Sequence, residues 1–350
     1  MAKAHPNAVV LICDQRFLPA AYFVAKQVLD HSRQNFDLIL QVVDTEGILP
    51  APPDSRIKIQ SLAIDPALVA AVGPSAGSGV AYGRLLLGRL RNSYERVLYL
   101  DSDLWIAGTD IGRVFSTNLG PHAFAAVRDH IEVLGRDNAS WLKYKERIGL
   151  PATKPYFNSG VMLIDPERFA SERIGERAAE YVKAGEFVGS FHDQSALNAV
   201  MQGAWLELSP RWNWTFTTRQ SSLDEFGPTI VHFVGSHKPW NDADGRYAAS
   251  YARELDRNCR DIGFPNFVAR RKFWPAYWRQ CKRSLTNILI PPSTTRNRLR
   301  YDATSLTEAF LPIEPWLSLS SRVAKGNPPH SQARGDVPTQ RSSGLAAVSG

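Results

Sequence analysis

Short apolar runs that suit strands alternate, from the first residues onward, with longer stretches whose apolar positions recur every three or four residues. The run Ala8 to Cys13 is followed by Phe17 to Asp30, where positions 17, 21, 24 and 28 share one helical face. Phe36 to Asp44 and Arg56 to Ile64 read as further strands, Val80 to Leu90 as a helix, and Arg96 to Leu100 as a short strand ending at Asp101. The second half adds strands at Phe124 to Val127, Val161 to Ile164 and Thr229 to Val234. Helices are predicted near Glu167 to Ala184, Asp193 to Gln202 and Tyr247 to Ile262. This alternation predicts an α/β fold, a Rossmann-like and mainly parallel central sheet flanked by helices. Ligands of open sheets gather beyond the carboxyl ends of the strands. Asp14, Asp44, Asp101, Asp129 and Asp165 all stand at the ends of predicted strands.

Composition narrows the function classes. With 350 residues, 44% hydrophobic and 21% charged, the chain can bury a sizeable core and resembles neither a disordered nor a disulfide-scaffold sequence. No run approaches the roughly 18 apolar residues of a spanning helix. The opening Met-Ala-Lys-Ala-His-Pro lacks the apolar region of a signal peptide, so the expected compartment is the cytoplasm. Cys13, Cys259 and Cys281 are widely spaced and form no C-x-x-C pair, which argues against a disulfide framework and a structural zinc.

The formal charge of +7 is concentrated: residues 266 to 301 hold nine Lys/Arg and no acid, leaving 32 basic against 34 acidic residues elsewhere. Phe267, Phe273, Trp274, Tyr277 and Trp278 interleave with that charge, a mix suited to the headgroup region of an anionic membrane. A solvated tail or a helix packed on the domain are the alternatives; nucleic acid is not the expected partner, since nothing outside this segment supports it. Beyond about Val323 Gly, Pro and Ser recur without an aromatic, and disorder is expected. The domain expectation is therefore a catalytic domain over 1–265, a basic, aromatic-rich C-terminal extension over 266–322, and a disordered tail over 323–350.

The strongest local signal is Val97-Leu98-Tyr99-Leu100-Asp101-Ser102-Asp103, a buried strand delivering two carboxylates two residues apart. Crowded carboxylates repel, and a hard divalent cation between them removes the repulsion. On the dipeptide alone an ordinary structural role stands beside this one: Asp103 capping a turn, Asp101 paired with Arg84 or Arg96. A haloacid-dehalogenase phosphatase would carry Thr or Val two residues after the second Asp, where Trp105 stands. A phosphate-binding G-x-x-x-x-G-K-[ST] loop is absent, and Gly73, Gly77, Gly79 and Gly83 do not follow a strand in dinucleotide-binding spacing.

Three more segments set polar residues against apolar ones: Tyr156-Phe157-Asn158-Ser159-Gly160-Val161, His192-Asp193-Gln194-Ser195, and His232-Phe233-Val234-Gly235-Ser236-His237-Lys238-Pro239-Trp240. In this order, after Tyr82-Gly83-Arg84-Leu85 and the Asp-x-Asp, they closely resemble glycosyltransferase family 8 over about residues 8 to 255. That family holds retaining enzymes, among them glycogenins and bacterial lipopolysaccharide galactosyl- and glucosyltransferases. The resemblance implies a GT-A fold, a UDP-sugar donor, a divalent metal that is Mn²⁺ or else Mg²⁺, and a glycan or lipid-linked acceptor such as lipopolysaccharide core. Taken with the basic, aromatic segment, the expected location is the cytoplasm, peripheral at the inner face of the cytoplasmic membrane.

Carried over by motif, Asp101, Asp103 and His232 would bind the metal. Asp14 would contact the base, although Cys13-Asp14-Gln15-Arg16-Phe17 departs from the family's Ala-Asp-x-x-Tyr at Cys13 and Phe17. Cys13, Arg84, Ser102, Asn158, Gly235 and Lys238 join Asp14 as donor-binding candidates, with Gly235 and Lys238 at the diphosphate. Asp129, Asn158 and Asp193 would bind the transferred sugar, and Gln194 would lie near its anomeric carbon. Because an amide is a poor nucleophile, front-face substitution is the expected route to retention, with Asp193 as the alternative covalent nucleophile. The competing reading of the whole chain is a catalytically silent, sugar-nucleotide-binding scaffold.

Overall fold

The computed structural model describes residues 5–33, 35–43, 52–72, 79–107, 110–135, 138–185, 191–215, 229–245, 247, 249–270 and 272, all within the unit Met1–Ser318. Asp44, the basic segment from Phe273 onward and the expected tail at 323–350 lie outside the described residues. The chain runs β1 (Asn7–Cys13), α1 (Leu18–Asp30), β2 (Asp37–Val43), β3 (Ile57–Leu62), α2 (Pro66–Val72), a 3-10 helix (Val80–Asn92), β4 (Arg96–Leu100) and β5 (Leu104–Ile106). After a short 3-10 turn (Ile111–Ser116) come β6 (Phe124–Arg128), α3 (His130–Gly135), α4 (Ala139–Arg147), β7 (Phe157–Ile164), α5 (Pro166–Ser171) and α6 (Ile174–Lys183). The chain continues with α7 (His192–Met201), β8 (Leu206–Glu207), β9 (Ile230–His232) and α8 (Ala249–Asp261).

Seven strands form one sheet in the order β3-β2-β1-β4-β7-β6-β8. β3, β2, β1 and β4 are mutually parallel, β7 is antiparallel to both neighbours, and β6 and β8 return to the direction of the first four. The alternation of β1 explains why the sheet is covered on both sides. Ala8, Val10 and Ile12 face one core with Leu85 of the 3-10 helix and Ile174 of α6. Val9, Leu11 and Cys13 face the other with Leu18, Val24 and Val28 of α1. A strand buried on both faces reads as a continuous apolar run, and each such aliphatic side chain contributes about 1.5–3 kcal/mol on burial.

The predicted helix over 167–184 is two helices, because Arg173 takes a left-handed φ of 53° between them. β5 and β9 pair separately as a small antiparallel sheet. Among the described residues no helix is long and apolar enough to cross a membrane.

Candidate active site

Strand direction selects the residues that meet. β1 and β4 are side by side with Leu11 opposite Leu100, so Asp14 and Asp101 leave the sheet at one edge, and β6 delivers Asp129 to the same edge. β7 runs the other way. Its first residues, Phe157 to Gly160, reach this edge, and Asp165, grouped from the sequence with the other strand-end acids, is carried to the opposite one. There Asp165 pairs with Arg96 Nη1 at 3.0 Å and caps α5 by accepting from Arg168 N at 3.1 Å. The expectation for Asp165 failed because a residue after an antiparallel strand leaves at the far edge. β7 also begins four residues before its predicted start at Val161. Asn158 and Ser159 are buried in it with polar partners, which an apolar pattern does not register.

Asp101 and Asp103 occupy the connection from β4 to β5. The β5–β9 pairing puts Leu104 opposite His232, and Phe233 N donates to Asp103 O at 3.1 Å, bringing a distant imidazole to the two aspartates. One ligand atom from each of Asp101, Asp103 and His232 lies within 4.8 Å of the others, the single such cluster among the described residues. The oxygens divide their work. Asp101 Oδ1 accepts from Arg84 Nη2 at 3.0 Å and from Tyr99 OH at 2.6 Å, while its Oδ2 lies 3.7 Å from His232 Nε2. Asp103 Oδ2 is held by Lys238 Nζ, and its Oδ1 lies 3.2 Å from His232 Nε2. Each carboxylate is thus anchored by one oxygen and presents the other inward.

Gly160 lets His232 and Asp101 lie directly against the β7 backbone. A Cβ there would stand 2.3 Å from His232 Cε1 and 2.8 Å from Asp101 Oδ2, closer than any side chain tolerates. Two carboxylate oxygens and one imidazole nitrogen make a donor set that fits a hard divalent cation, and the nitrogen favours Mn²⁺ over Mg²⁺. Burial works against the Asp103 charge, but Lys238 and His232 outweigh it and hold the carboxyl well below the usual range. Arg84 is likewise buried, yet Asp101 and Asp193 keep its guanidinium protonated.

A second pole adjoins the first. Arg84 Nε lies 3.0 Å from Asp193 Oδ2, and Arg84 Nη1 donates to Ser159 Oγ. Burial raises the Asp193 carboxyl to about 6; Arg84 pulls it down and Asp101 pushes it up. Gln194 Oε1 accepts from Ser159 N at 3.0 Å, and its Nε2 donates to Asp129 Oδ2 at 3.1 Å. Asn158 Nδ2 donates to the same oxygen at 2.9 Å. Asp129 is buried, yet hydrogen bonds from His130, Asn158 and Ile131 N hold its carboxyl below its usual value.

Asn213 joins the two poles. Its Nδ2 donates to Asn158 Oδ1 at 2.8 Å and its Oδ1 lies 2.9 Å from His232 Nδ1. The structure therefore brings together Asp101, Asp103, His232, Lys238, Arg84, Asn158, Asp129, Asp193 and Gln194.

The remaining candidates sit differently. Asp14 is buried at the end of β1, accepting from Phe17 N at 3.0 Å and from Arg16 Nη2 at 3.0 Å. Cys13 is fully buried in the core with its thiol pushed up to about 12, chiefly by burial, so it serves the site by ending β1 before Asp14. Phe17 packs edge-on against Trp240, with ring centroids 5.7 Å apart. Ser102 lines a small apolar cavity with Phe23, Trp105 and Phe233. Gly235, at φ 82°, turns the exposed loop before Lys238 in a conformation that other residues rarely adopt.

Sequence reasoning assigned no role to Tyr99, Ser159, Gly160 or Asn213. The first three stand inside motifs that were read for their neighbours. Asn213 had one signal, an amide between Trp212 and Trp214.

The chain and its fold have counterparts among known proteins. A galactosyltransferase, LgtC, solved with donor and acceptor sugar analogs, superposes with a TM-score of 0.57 at 22% identity, covering 71% of this chain and 94% of that one, which establishes the shared fold. The glycosyltransferase GlyF of Streptococcus pneumoniae is 26% identical over 310 residues, 84% of this chain and 71% of GlyF. The lipopolysaccharide 1,2-glucosyltransferase of Escherichia coli is 27% identical over 175 residues, 47% of this chain and 50% of that enzyme. In several curated relatives the match spans only about half to two thirds of the relative's own length. The family model for glycosyl transferase family 8 matches residues 8–244, from β1 past the Lys238 loop, and the chain belongs to that family.

Proposed function

We propose that the protein is a metal-dependent, retaining hexosyltransferase that moves a sugar from a UDP-sugar to a glycan or lipid-linked acceptor such as lipopolysaccharide core. The observation that carries this reading is the convergence of Asp101 Oδ2, Asp103 Oδ1 and His232 Nε2, one ligand atom from each residue within 4.8 Å of the others. Those three residues would hold a divalent cation, Mn²⁺ by preference, which when bound supplies Lewis-acid stabilisation of a departing diphosphate. The relatives' names, glycosyltransferases and a lipopolysaccharide glucosyltransferase, support the substrate class.

This chain's residues supply the rest. Lys238 offers a compact ammonium to the diphosphate beside the aspartates, and Gly235 lets the loop backbone approach it. Asp14 binds the base from the end of β1. Asp129, Asn158 and Asp193 offer acceptors and an amide to sugar hydroxyls. Gln194 Oε1 is engaged by Ser159 N–H, and Asp193 Oδ2 faces Arg84. An amide is a poor nucleophile and Gln194 Oε1 is already engaged, which favours front-face substitution, the acceptor's proton passing to the leaving phosphate oxygen, with Asp193 as the alternative nucleophile. The basic, aromatic segment from residue 266 would hold the enzyme against an anionic cytoplasmic membrane where a lipid-linked acceptor resides.

A panel of nucleotide sugars assayed for UDP release with Mn²⁺, with and without chelator, tests the reading. Release should need metal, and Asp103→Asn should lower kcat/KM by about 100-fold or more with the fold retained. Unaltered turnover in that variant would remove the metal role.

A further inference from the structure

We propose that Asn213 is a positioning residue that keeps a proton on Nδ1 of His232, so that the Nε2 lone pair faces Asp101 and Asp103. The value of that lone pair rests on the metal-site reading above; the placement of the proton does not.

The direction of each hydrogen bond follows from two fixed ends. Asp129 is a carboxylate and can only accept. Its Oδ1 takes the Ile131 N–H at 2.9 Å with His130 Nδ1 at 3.1 Å, and its Oδ2 takes Gln194 Nε2 at 3.1 Å. Asn158 must therefore present its NH₂ to Oδ2, as it does at 2.9 Å. The other fixed end is the Gly160 backbone N–H, which can only donate and lies 3.0 Å from Asn158 Oδ1. Carboxylate and backbone amide demand the same orientation of Asn158.

Asn158 Oδ1 then faces Asn213 at 2.8 Å, so Asn213 must present its NH₂ there. Its carbonyl oxygen is left facing His232 Nδ1 at 2.9 Å, and a carbonyl has no proton to give. The ring nitrogen must donate. A neutral imidazole with Nδ1–H has an Nε2 lone pair, and Nε2 is the atom 3.2 Å from Asp103 Oδ1 and 3.7 Å from Asp101 Oδ2.

The competing arrangement is close at hand. Two carboxylates beside Nε2 would draw a ring proton there, and a free imidazole in water also prefers Nε2–H. An Nε2–H donated to Asp103 would have no lone pair for a cation. Asn213 and Asn158 are each at most 5% exposed, so water does not compete for their bonds. The sugar pole at Asp129 thus sets, through two amides, the face that the imidazole shows to the aspartates. Partners of this type around a histidine ligand alter metal affinity by about 10- to 100-fold.

The experiment is ¹⁵N NMR of histidine-labelled, metal-free full-length protein at alkaline pH, read beside Mn²⁺ affinity from the EPR signal of free Mn²⁺. Wild type should hold the Nδ1–H tautomer. Asn213→Leu should shift to Nε2–H and weaken Mn²⁺ binding by 10-fold or more. Asn213→Asp keeps an acceptor for Nδ1–H and should retain the wild-type tautomer, which a packing role would not require. An Nε2–H tautomer in wild type overturns the proposal whether or not any variant folds, as does an Asn213→Leu protein with unchanged tautomer and affinity. Wild type with Nδ1–H that binds no Mn²⁺ upholds the proton assignment and refutes the metal reading instead.

Discussion

Asp193 is buried close to a second carboxylate, Asp101, with Arg84 between them. Its pKa of about 6 lies above the ordinary 3.8, so between those values the native state holds a proton that the unfolded chain has released. Stability contributed by this group is therefore present at low pH and falls as pH rises through about 6. Asn resembles the protonated acid. In metal-free protein the change in Tm on Asp193→Asn should be more favourable at pH 8 than at pH 4 by about 2–4 °C. Thermal melts at the two pH values measure this; no difference, or one of opposite sign, would contradict the burial argument. Transfer should fall in the same variant, as expected where a site holds a costly charge for function. At this scale Asp101 and Asp103 stood out as carboxylates ending an apolar strand, whereas Asp193 and His232 were singled out through the resemblance of their motifs to the family. Tyr99 was not, since alternation along β4 marks it only as core, and its bond to Asp101 depends on which face it takes.

β5 and β7 carry the largest differences between sequence and structure. β5 is three residues long, too short for a periodic signal, yet its pairing with β9 supplies His232. β7 was recognised from its apolar end, while its polar beginning carries Asn158, Ser159 and Gly160. Direction within a sheet is a property of pairing, which is why Asp165 was grouped with the wrong edge. The approach of β7 to β9 yields its own prediction. In Gly160→Ala the new methyl must displace the His232 ring, an overpacking that costs about 1–3 kcal/mol. Far-UV circular dichroism should be unchanged, Mn²⁺ affinity should drop by about 10-fold or more, and UDP release should fall with it. Binding of Mn²⁺ as tight as in wild type would show that the ring does not need that space.

For the molecule as a whole, the doubly covered sheet was readable from the alternation of runs. The packing of the domain continues past residue 265. Phe267 lies 5.5 Å from the Trp240 ring, Ala269 N donates to Trp240 O at 2.7 Å, and Lys272 N donates to Ala243 O at 2.8 Å. Trp240 belongs to the loop that carries Lys238. Truncation after Lys272 should keep donor hydrolysis but abolish sedimentation with phosphatidylglycerol vesicles. Truncation after Pro265 should also lower Tm by several degrees and impair hydrolysis. Vesicle binding that survives both cuts would place any membrane contact elsewhere.

The late position of β9 has a consequence for biosynthesis. A nascent chain that has emerged through Met201 and on to Glu207 owns every strand of the seven-stranded sheet, with both Asp101 and Asp103 in place. It still lacks the imidazole. On the proposed reading, the scaffold and the three-ligand site would be completed at separate points of translation, and a ribosome stalled between them is expected to display a sheet without its third ligand.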